Sequence, residues 1–311
     1  MSRAGLDRFC PRAGVLLVLS ANAPDIDILA LIGGPLKYFE MHRGYTHSLV
    51  GLPFMALLTV IVVAAIFRQR LPWGKAWLLC VLGVASHLLI DWTNDYGLRL
   101  LLPFSSHWFA LDINSLYDGA IWAALIFAAL WPLLERLVNG EIGMRGQVGR
   151  GVAVFALTFF LLYDCGRALM HGRALAQLQS VLYDGAVPVR TSALPNPFNP
   201  LRWKGIVETE RNFQVLPLDV FGSLEPRNAL VFYKAHLTEG LRLAAQTEPF
   251  RYFLYFARFP VWSTDESSVA GAPVTRIELM DLRFGLPGST AFRCMATEDS
   301  QGRVLESKFA P

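Results

Sequence analysis

The chain has 311 residues, of which 53% are hydrophobic and 17% are charged, and its mean hydropathy is +0.38. These values exclude an ordinary soluble domain and are typical of a membrane protein. A net charge of only +3 gives no strongly basic surface, so we expect no nucleic-acid partner. The four cysteines include no CxxC pair, which argues against a zinc ribbon or a disulfide framework.

The first 172 residues contain five apolar segments, which predict membrane helices at residues 13–32, 49–67, 76–90, 119–134 and 151–170. The second of these has 19 residues without a formal charge. At ~1.5 Å per residue, such a helix is long enough for a hydrocarbon core of ~30 Å. The first segment is interrupted by "NAPDID", which predicts a broken or shortened helix. We therefore predict a membrane α-helical bundle of about five segments over residues 1–172.

The rest of the chain has a different composition. Residues 173–200 include the turn-rich "LPNPFNP" and are predicted to be a linker. From residue 201 to 311, short runs rich in aromatic and branched residues alternate with turn residues, as in "NALVFYKAHL" and "RYFLYFARFPVW". The run "TRIELMDLRF" alternates polar and apolar side chains, which is typical of a half-buried strand. The prediction is a small, mainly antiparallel β domain outside the membrane.

Basic residues predict the orientation of the membrane domain. The N-terminus and the loops after the second and fourth apolar segments carry nine lysines and arginines, against three in the loops on the opposite side. Because basic loops stay in the cytoplasm, the polar clusters described next and the β domain are expected on the outer, periplasmic side. This orientation depends on the first segment crossing the membrane.

Three short polar clusters stand beside the apolar segments. They are "PDID" with Asp25 and Asp27, "HRGYTHS" with His42, Arg43 and His47, and "HLLIDWTND" with His87, Asp91, Asn94 and Asp95. His87 and Asp91 are four residues apart and project from the same side of a helix. Imidazoles and carboxylates that meet at one membrane face are the ligands of zinc, manganese and similar ions. We therefore predict a divalent metal site.

Each cluster also has a simpler explanation. A single histidine near a membrane edge is usually an interfacial residue, and acidic residues favour a helix N-terminus. His87 and Asp91 could be a hydrogen-bonded pair that ties two helices together. Only the combination of three clusters favours a metal. Serine catalysis is a weaker alternative, because neither Ser48 nor Ser86 lies in a GxSxG motif.

The segments "PDIDIL", "HRGYTHSL", "SHLLIDWTNDYGLRLLLPFS" and "FALDINSLYDGAI" follow one another between about residues 20 and 130. In this order they resemble the YdjM-like family of membrane-bound, metal-dependent hydrolases, some of which are described as LexA-regulated inner-membrane proteins. The resemblance implies a hydrolase with a divalent metal in the bacterial inner (cytoplasmic) membrane. The implied metal residues are Asp25, Asp27, His42, His47, His87 and Asp91. Members of this type usually open with a further helix, whereas this chain has only "MSRAGLDRFCPRAG" and a short apolar run before "PDID".

These residues predict a hydrolytic mechanism. The metal would activate water and polarise a carbonyl or phosphoryl group. Asp95, or whichever of Asp25 and Asp27 does not bind the metal, would accept the proton, while Arg43 would bind an anionic substrate. Arg43 could instead be a snorkelling interface anchor. A site at the membrane surface favours a lipid-linked or phosphoester substrate in contact with the bilayer.

The alternative is a non-enzymatic membrane protein, either a scaffold or transporter-like, with a structural His/Asp metal site. The β domain would then be an interaction module. No inverted repeat is visible, which argues against a secondary transporter. The sequence does not indicate an oligomeric state.

Overall fold

A computed structural model describes residues 5–142, 149–269, 272–290 and 292–311. It divides into two compact units, one of residues up to 28, 43–171 and 195–200, and the other of residues 29–42, 172–194 and 201–311. The α-helices of the described residues are α1 (Ala13–Asn22), α2 (Pro35–Met41), α3 (Gly51–Phe67), α4 (Trp73–Thr93), α5 (Gly119–Ile142), α6 (Arg150–Gln179), α7 (Glu239–Gln246) and α8 (Glu248–Phe256).

The first unit has its core between α1, α3 and α4. Fully buried side chains from each helix meet there, among them Leu16, Val60 and Leu79. At Gly83 of α4, an added Cβ atom would lie only 2.0 Å from Ser20 Oγ of α1. The missing side chain therefore lets the two helices approach closely, as small residues do between membrane helices.

Two described helices, α4 and α6, are long and apolar enough to cross a membrane. The number rises to four if each of two bent pairs is one span, namely Ala13–Asn22 with Pro24–Gly33 and Pro35–His47 with Gly51–Phe67. The described apolar part of α5, Gly119–Glu135, is shorter. A helical N-terminal region with two to four candidate membrane spans is confirmed, whereas the count of about five stays a prediction.

The predicted interruption at "NAPDID" is confirmed. α1 ends at Asn22, and Pro24–Gly33 forms a 3-10 helix with Asp25 and Asp27 in its first turn. Pro24 has no N–H to continue the hydrogen bonds of α1, so the chain changes its helix type there. The two carboxylates consequently lie at a break between two apolar stretches.

The second unit contains two four-stranded sheets. The first has the order β1 (Arg190–Pro195), β2 (Arg202–Glu208), β3 (Asn212–Asp219) and β4 (Leu230–Tyr233), and the second has β5 (Pro260–Val269), β6 (Ala272–Asp281), β7 (Arg293–Asp299) and β8 (Val304–Ala310). The neighbouring strands β2 to β4 and β5 to β8 pair antiparallel. The mainly antiparallel β architecture is thus confirmed. The segment predicted as a linker contains the end of α6 and all of β1.

One helix in this unit corrects the sequence prediction. The run "RYFLYFARFPVW" was expected to be a strand, but its first six residues belong to α8 and only its end belongs to β5. Pro249 lies in the first turn of α8, where a proline fits. Phe250, Phe253 and Phe256 recur every third residue and are all buried, which is the spacing of one helix face.

An aromatic cluster fixes α2 in the same unit. Phe39 of α2 is 2% exposed, and its ring stacks on Phe309 of β8 with centroids 4.5 Å apart. The edge of the same ring meets Phe256 at 5.1 Å. Offset and edge-to-face pairs of this kind each stabilise a core by about 0.5–1.5 kcal/mol beyond the area they bury.

Candidate metal centre

A tight turn places His47 in the first unit. Tyr45–His47 forms one turn of 3-10 helix directly before α3. The Ser48 hydroxyl donates to Tyr45 O and accepts from Gly51 N, both at 2.9 Å. A Cβ atom at Gly51 would lie 2.0 Å from Tyr45 O, so this close turn requires glycine. These contacts consequently fix the backbone on both sides of His47.

Three donor atoms from separate segments converge at this turn. His47 Nε2 and His87 Nε2 are 3.2 Å apart, and Asp25 Oδ1 lies 3.5 and 3.6 Å from them. These side chains form a group with the spacing of metal ligands. In a tetrahedral site with bonds of about 2.0–2.2 Å, donor atoms are about 3.3–3.6 Å apart. The trio therefore matches one face of a tetrahedral centre.

Asp91 adds a second carboxylate to the imidazole pair. Its Oδ2 atom lies 3.5 Å from His47 Nε2 and 3.4 Å from His87 Nε2. This oxygen is buried and accepts no hydrogen bond in good geometry from any residue that the structure describes. A buried oxygen without such a donor is costly unless another group binds it. The donor set and this oxygen both fit a divalent cation.

Arg43 holds the other oxygen of Asp91. Its Nη2 atom is 2.8 Å from Asp91 Oδ1, and Nη1 donates to Asn94 Oδ1 at 2.9 Å and to Gly97 O at 3.2 Å. The residue is 6% exposed and has a positive φ of 53°. Such burial is unlike that of a snorkelling anchor, which keeps its charge in water. Arg43 thus binds Asp91 Oδ1, while Asp91 Oδ2 faces the two histidines.

Asp27 contacts the opposite edge of the His47 ring. Its Oδ2 atom lies 3.3 Å from His47 Nδ1 and accepts hydrogen bonds from the Arg43 backbone N–H at 3.1 Å and from the Thr46 hydroxyl at 3.3 Å. A carboxylate on Nδ1 fixes the orientation of a ring whose Nε2 binds a metal. Asp27 is thus placed to support His47 from behind.

The candidate centre is open on one side. The side chain of His47 is fully buried and that of Asp91 is 10% exposed, but that of Asp25 is 51% exposed. Asp25 is followed by the exposed apolar residues Ile26 and Ile28. Asp25 is therefore the most accessible of these three polar side chains.

The structure also describes His42 and Asp95, the other residues that the sequence predicts for the site. His42 belongs to the second unit, where it follows α2 and its ring stacks on Tyr38 at 4.7 Å. Asp95 is half-buried in the turn after α4. Sequence reasoning noted Asn94 but gave it no role, although its Oδ1 atom accepts from Arg43 and from the backbone N–H of Tyr96 and Gly97. No spacing rule connects it to Arg43, which is 51 residues away.

The apolar helices and the His/Asp group define a membrane protein with a candidate metal centre. The chain belongs to the YdjM inner membrane protein family, whose model matches residues 4–174. The resemblance predicted from the sequence is therefore confirmed, and so is membrane localisation.

Two curated relatives extend this comparison. "Uncharacterized protein YfhP" of Bacillus subtilis is 24% identical over 289 residues, which cover 89% of this chain and 79% of the relative. That alignment must continue beyond residue 174 into the β-rich part. "Inner membrane protein YbcI" of Escherichia coli is 36% identical over 101 residues, covering 31% of this chain and 55% of the relative. No solved structure matches the chain.

Proposed function

We propose that this protein is a membrane-bound, metal-dependent hydrolase. The observation that carries the proposal is the convergence of two imidazole Nε2 atoms with a buried carboxylate oxygen that faces them, Asp91 Oδ2. His47, His87 and Asp91 would hold the ion from the buried side, and Asp25 from the open side. Nitrogen and carboxylate donors suit zinc or manganese. His42 stays a predicted ligand from the sequence.

The ion and the side chains around it have separate roles in the proposed reaction. A bound divalent ion supplies Lewis acidity and an activated water nucleophile. Arg43 keeps Asp91 oriented, and Asp27 keeps His47 oriented, so the donors need little rearrangement. A carboxylate that does not bind the ion accepts the proton, and Asp95 is the candidate, or Asp25 if it is not a ligand. Arg43 is already paired with Asp91, so it favours a positioning role over direct substrate binding.

The substrate is proposed to be lipid-linked or amphiphilic, with a phosphoester as the preferred bond. Asp25 lies at the break of a bent pair that passes as one candidate span, and the exposed Ile26 and Ile28 follow it. An amphiphile can keep its chain against such apolar residues while its polar head reaches the carboxylate. We further propose that the centre and the β domain lie on the periplasmic side, because the loops predicted on the opposite side carry most of the basic residues. A nucleic-acid partner is not expected.

Metal analysis of the purified full chain tests the centre. We expect zinc or manganese in the wild type, and its loss in His47→Ala and in Asp91→Asn. The matched control is His236→Ala, since His236 is exposed in the second unit. Unchanged metal content in both site variants would overturn the ligand assignment.

A substrate screen then tests the reaction. Detergent-solubilised, metal-loaded protein is offered phosphoester, carboxyl-ester and amide lipids, with the His47→Ala variant as the blank. Turnover that depends on both metal and His47 supports the hydrolase. A tightly held metal with no exchangeable coordinated water would instead favour a structural site, because a catalytic centre keeps one position open.

A further inference from the structure

A second polar network lies next to the candidate centre, at the end of α4. The backbone N–H groups of Ile113 and Asn114 both donate to Thr93 O at 3.0 Å, and Leu111 N–H donates to Trp92 O at 2.8 Å. Residues 111–114, which we call the α4 brace, therefore bind the last turn of the helix that carries His87 and Asp91.

Asn114 connects the brace to α6. Its Nδ2 atom donates to Asp164 Oδ1 at 2.8 Å and to Thr93 Oγ1 at 3.2 Å. Asn114 is 3% exposed, so these bonds form away from water, where losing an acceptor is costly. The carboxylate of Asp164 thus reaches the end of α4 through one amide group.

Arg167 fastens the same brace one helical turn further along α6. Its Nε atom donates to Ile113 O at 2.8 Å, and its Nη1 atom donates to Pro200 O at 2.8 Å. Arg167 is only 1% exposed. Charged groups buried in a membrane helix are costly, and such groups commonly serve function. Arg167 and Asp164 are thus hydrogen-bonded to the consecutive brace residues Ile113 and Asn114, respectively.

We infer that Asp164, acting through Asn114, is a positioning residue for the metal centre. It holds the end of α4 so that Asp91 and His87 face His47, and the inference rests on the metal-binding function proposed above. The same helix end carries Asn94, which binds the Arg43 side chain that orients Asp91. Hydrogen bonds therefore connect α6 to the brace, and the brace to Thr93 at the end of α4. The next residue, Asn94, accepts from Arg43, which in turn pairs with Asp91.

Zinc affinity of the detergent-solubilised full chain tests this role, measured by competition with a chromophoric chelator. Asp164→Ala should raise the dissociation constant roughly 2- to 30-fold, the range of couplings of about 0.5–2 kcal/mol. Asp164→Asn keeps an oxygen that accepts from Asn114, so it should restore wild-type affinity. The matched control is Tyr163→Phe, which removes only the bonds from Tyr163 to Asp118 at 3.0 Å. Equal affinities of Asp164→Ala and wild type, or an equal loss in Tyr163→Phe, would overturn the inference.

Hydrogen exchange gives a readout that needs no metal. In Asp164→Ala the backbone N–H groups of Ile113 and Asn114 should exchange faster than in the wild type, and in Asp164→Asn they should not. If the wild type binds no zinc, the proposed function fails, while the exchange rates still decide whether Asp164 holds the brace. Should Asp164→Ala not fold, Thr93→Val removes the other acceptor of Asn114 and is expected to act in the same direction. Unchanged exchange in the folded variants would rule out the role of Asp164.

Discussion

Among the residues that the structure describes, a buried Arg–Asp pair occurs in each unit, and these two pairs differ in whether both carboxylate oxygens are hydrogen-bonded. In the second unit, Asp281 accepts from Arg283 Nε and from the backbone N–H groups of Arg258 and Arg283 at 2.8–2.9 Å, so both its oxygens are bound. In the first unit, Arg43 binds one oxygen of Asp91, and the other faces two imidazoles. A buried ion pair with every oxygen bound is complete as a structural element, whereas Asp91 retains capacity for a ligand.

The largest effect is expected where the pair is complete. Asp281→Ala leaves Arg283 buried without its carboxylate, and we expect the free energy of unfolding to fall by about 3–5 kcal/mol. Thermal or urea unfolding of the full chain, followed by tryptophan fluorescence, measures it. Glu306→Ala removes the exposed pair with Lys308 and is the control, with an expected change within about 1 kcal/mol. Similar losses of unfolding free energy in the two variants would contradict a larger contribution from the buried pair than from the exposed pair.

Disrupting the Arg43–Asp91 pair, in which one carboxylate oxygen faces the histidines, is expected to lower the affinity for zinc. Arg43→Met removes the group that orients Asp91, and should weaken zinc binding by about 10- to 100-fold, as other residues that support a metal ligand do. The exposed Arg242, paired with Glu239 at 3.7 Å, provides the control variant Arg242→Met. Unchanged zinc affinity, combined with weaker substrate binding, would instead support direct substrate binding by Arg43.

The smallest effect concerns Cys294, whose thiol is buried in the second unit. Burial raises the pKa of the Cys294 thiol above its ordinary value of 9.0. Above that pH the unfolded chain loses the proton while the folded chain keeps it, so stability falls as pH rises. The slope reaches at most about 1.4 kcal/mol per pH unit. Unfolding curves at several pH values should show this loss in the wild type but not in Cys294→Ala; parallel curves would contradict it.

The candidate centre was largely predictable because charged residues are rare in apolar sequence. Asp25, His47, His87 and Asp91 stand out for that reason alone, and the structure brings them within reach of one another. The partner of Arg43 was not predictable, since Asp91 is 48 residues away and the contact depends on how the helices pack. The positive φ of Arg43 was not predictable either, because a glycine at that position would have been the signal for it.

The strands of the second unit were predicted from alternation and composition. β6 is a strand as predicted, but its last five residues are all buried and do not alternate between buried and exposed. The same composition was misleading in α8, because aromatic residues favour strands in general. A helix forms there because the spacing of Phe250, Phe253 and Phe256 outweighs that preference. The sequence "TEP" before them was the available signal, with Thr247 flanking the helix and Pro249 in its first turn.

Gly83 sets a dimension of the candidate centre although it contributes no ligand. It lies one helical turn before His87 on α4, and it touches Ser20, five residues before Asp25. The distance between α1 and α4 at this contact therefore helps to set the distance between the Asp25 carboxylate and the His87 imidazole. A single methyl group at Gly83 would force α1 and α4 apart, and the Asp25 carboxylate would then move away from the His87 imidazole.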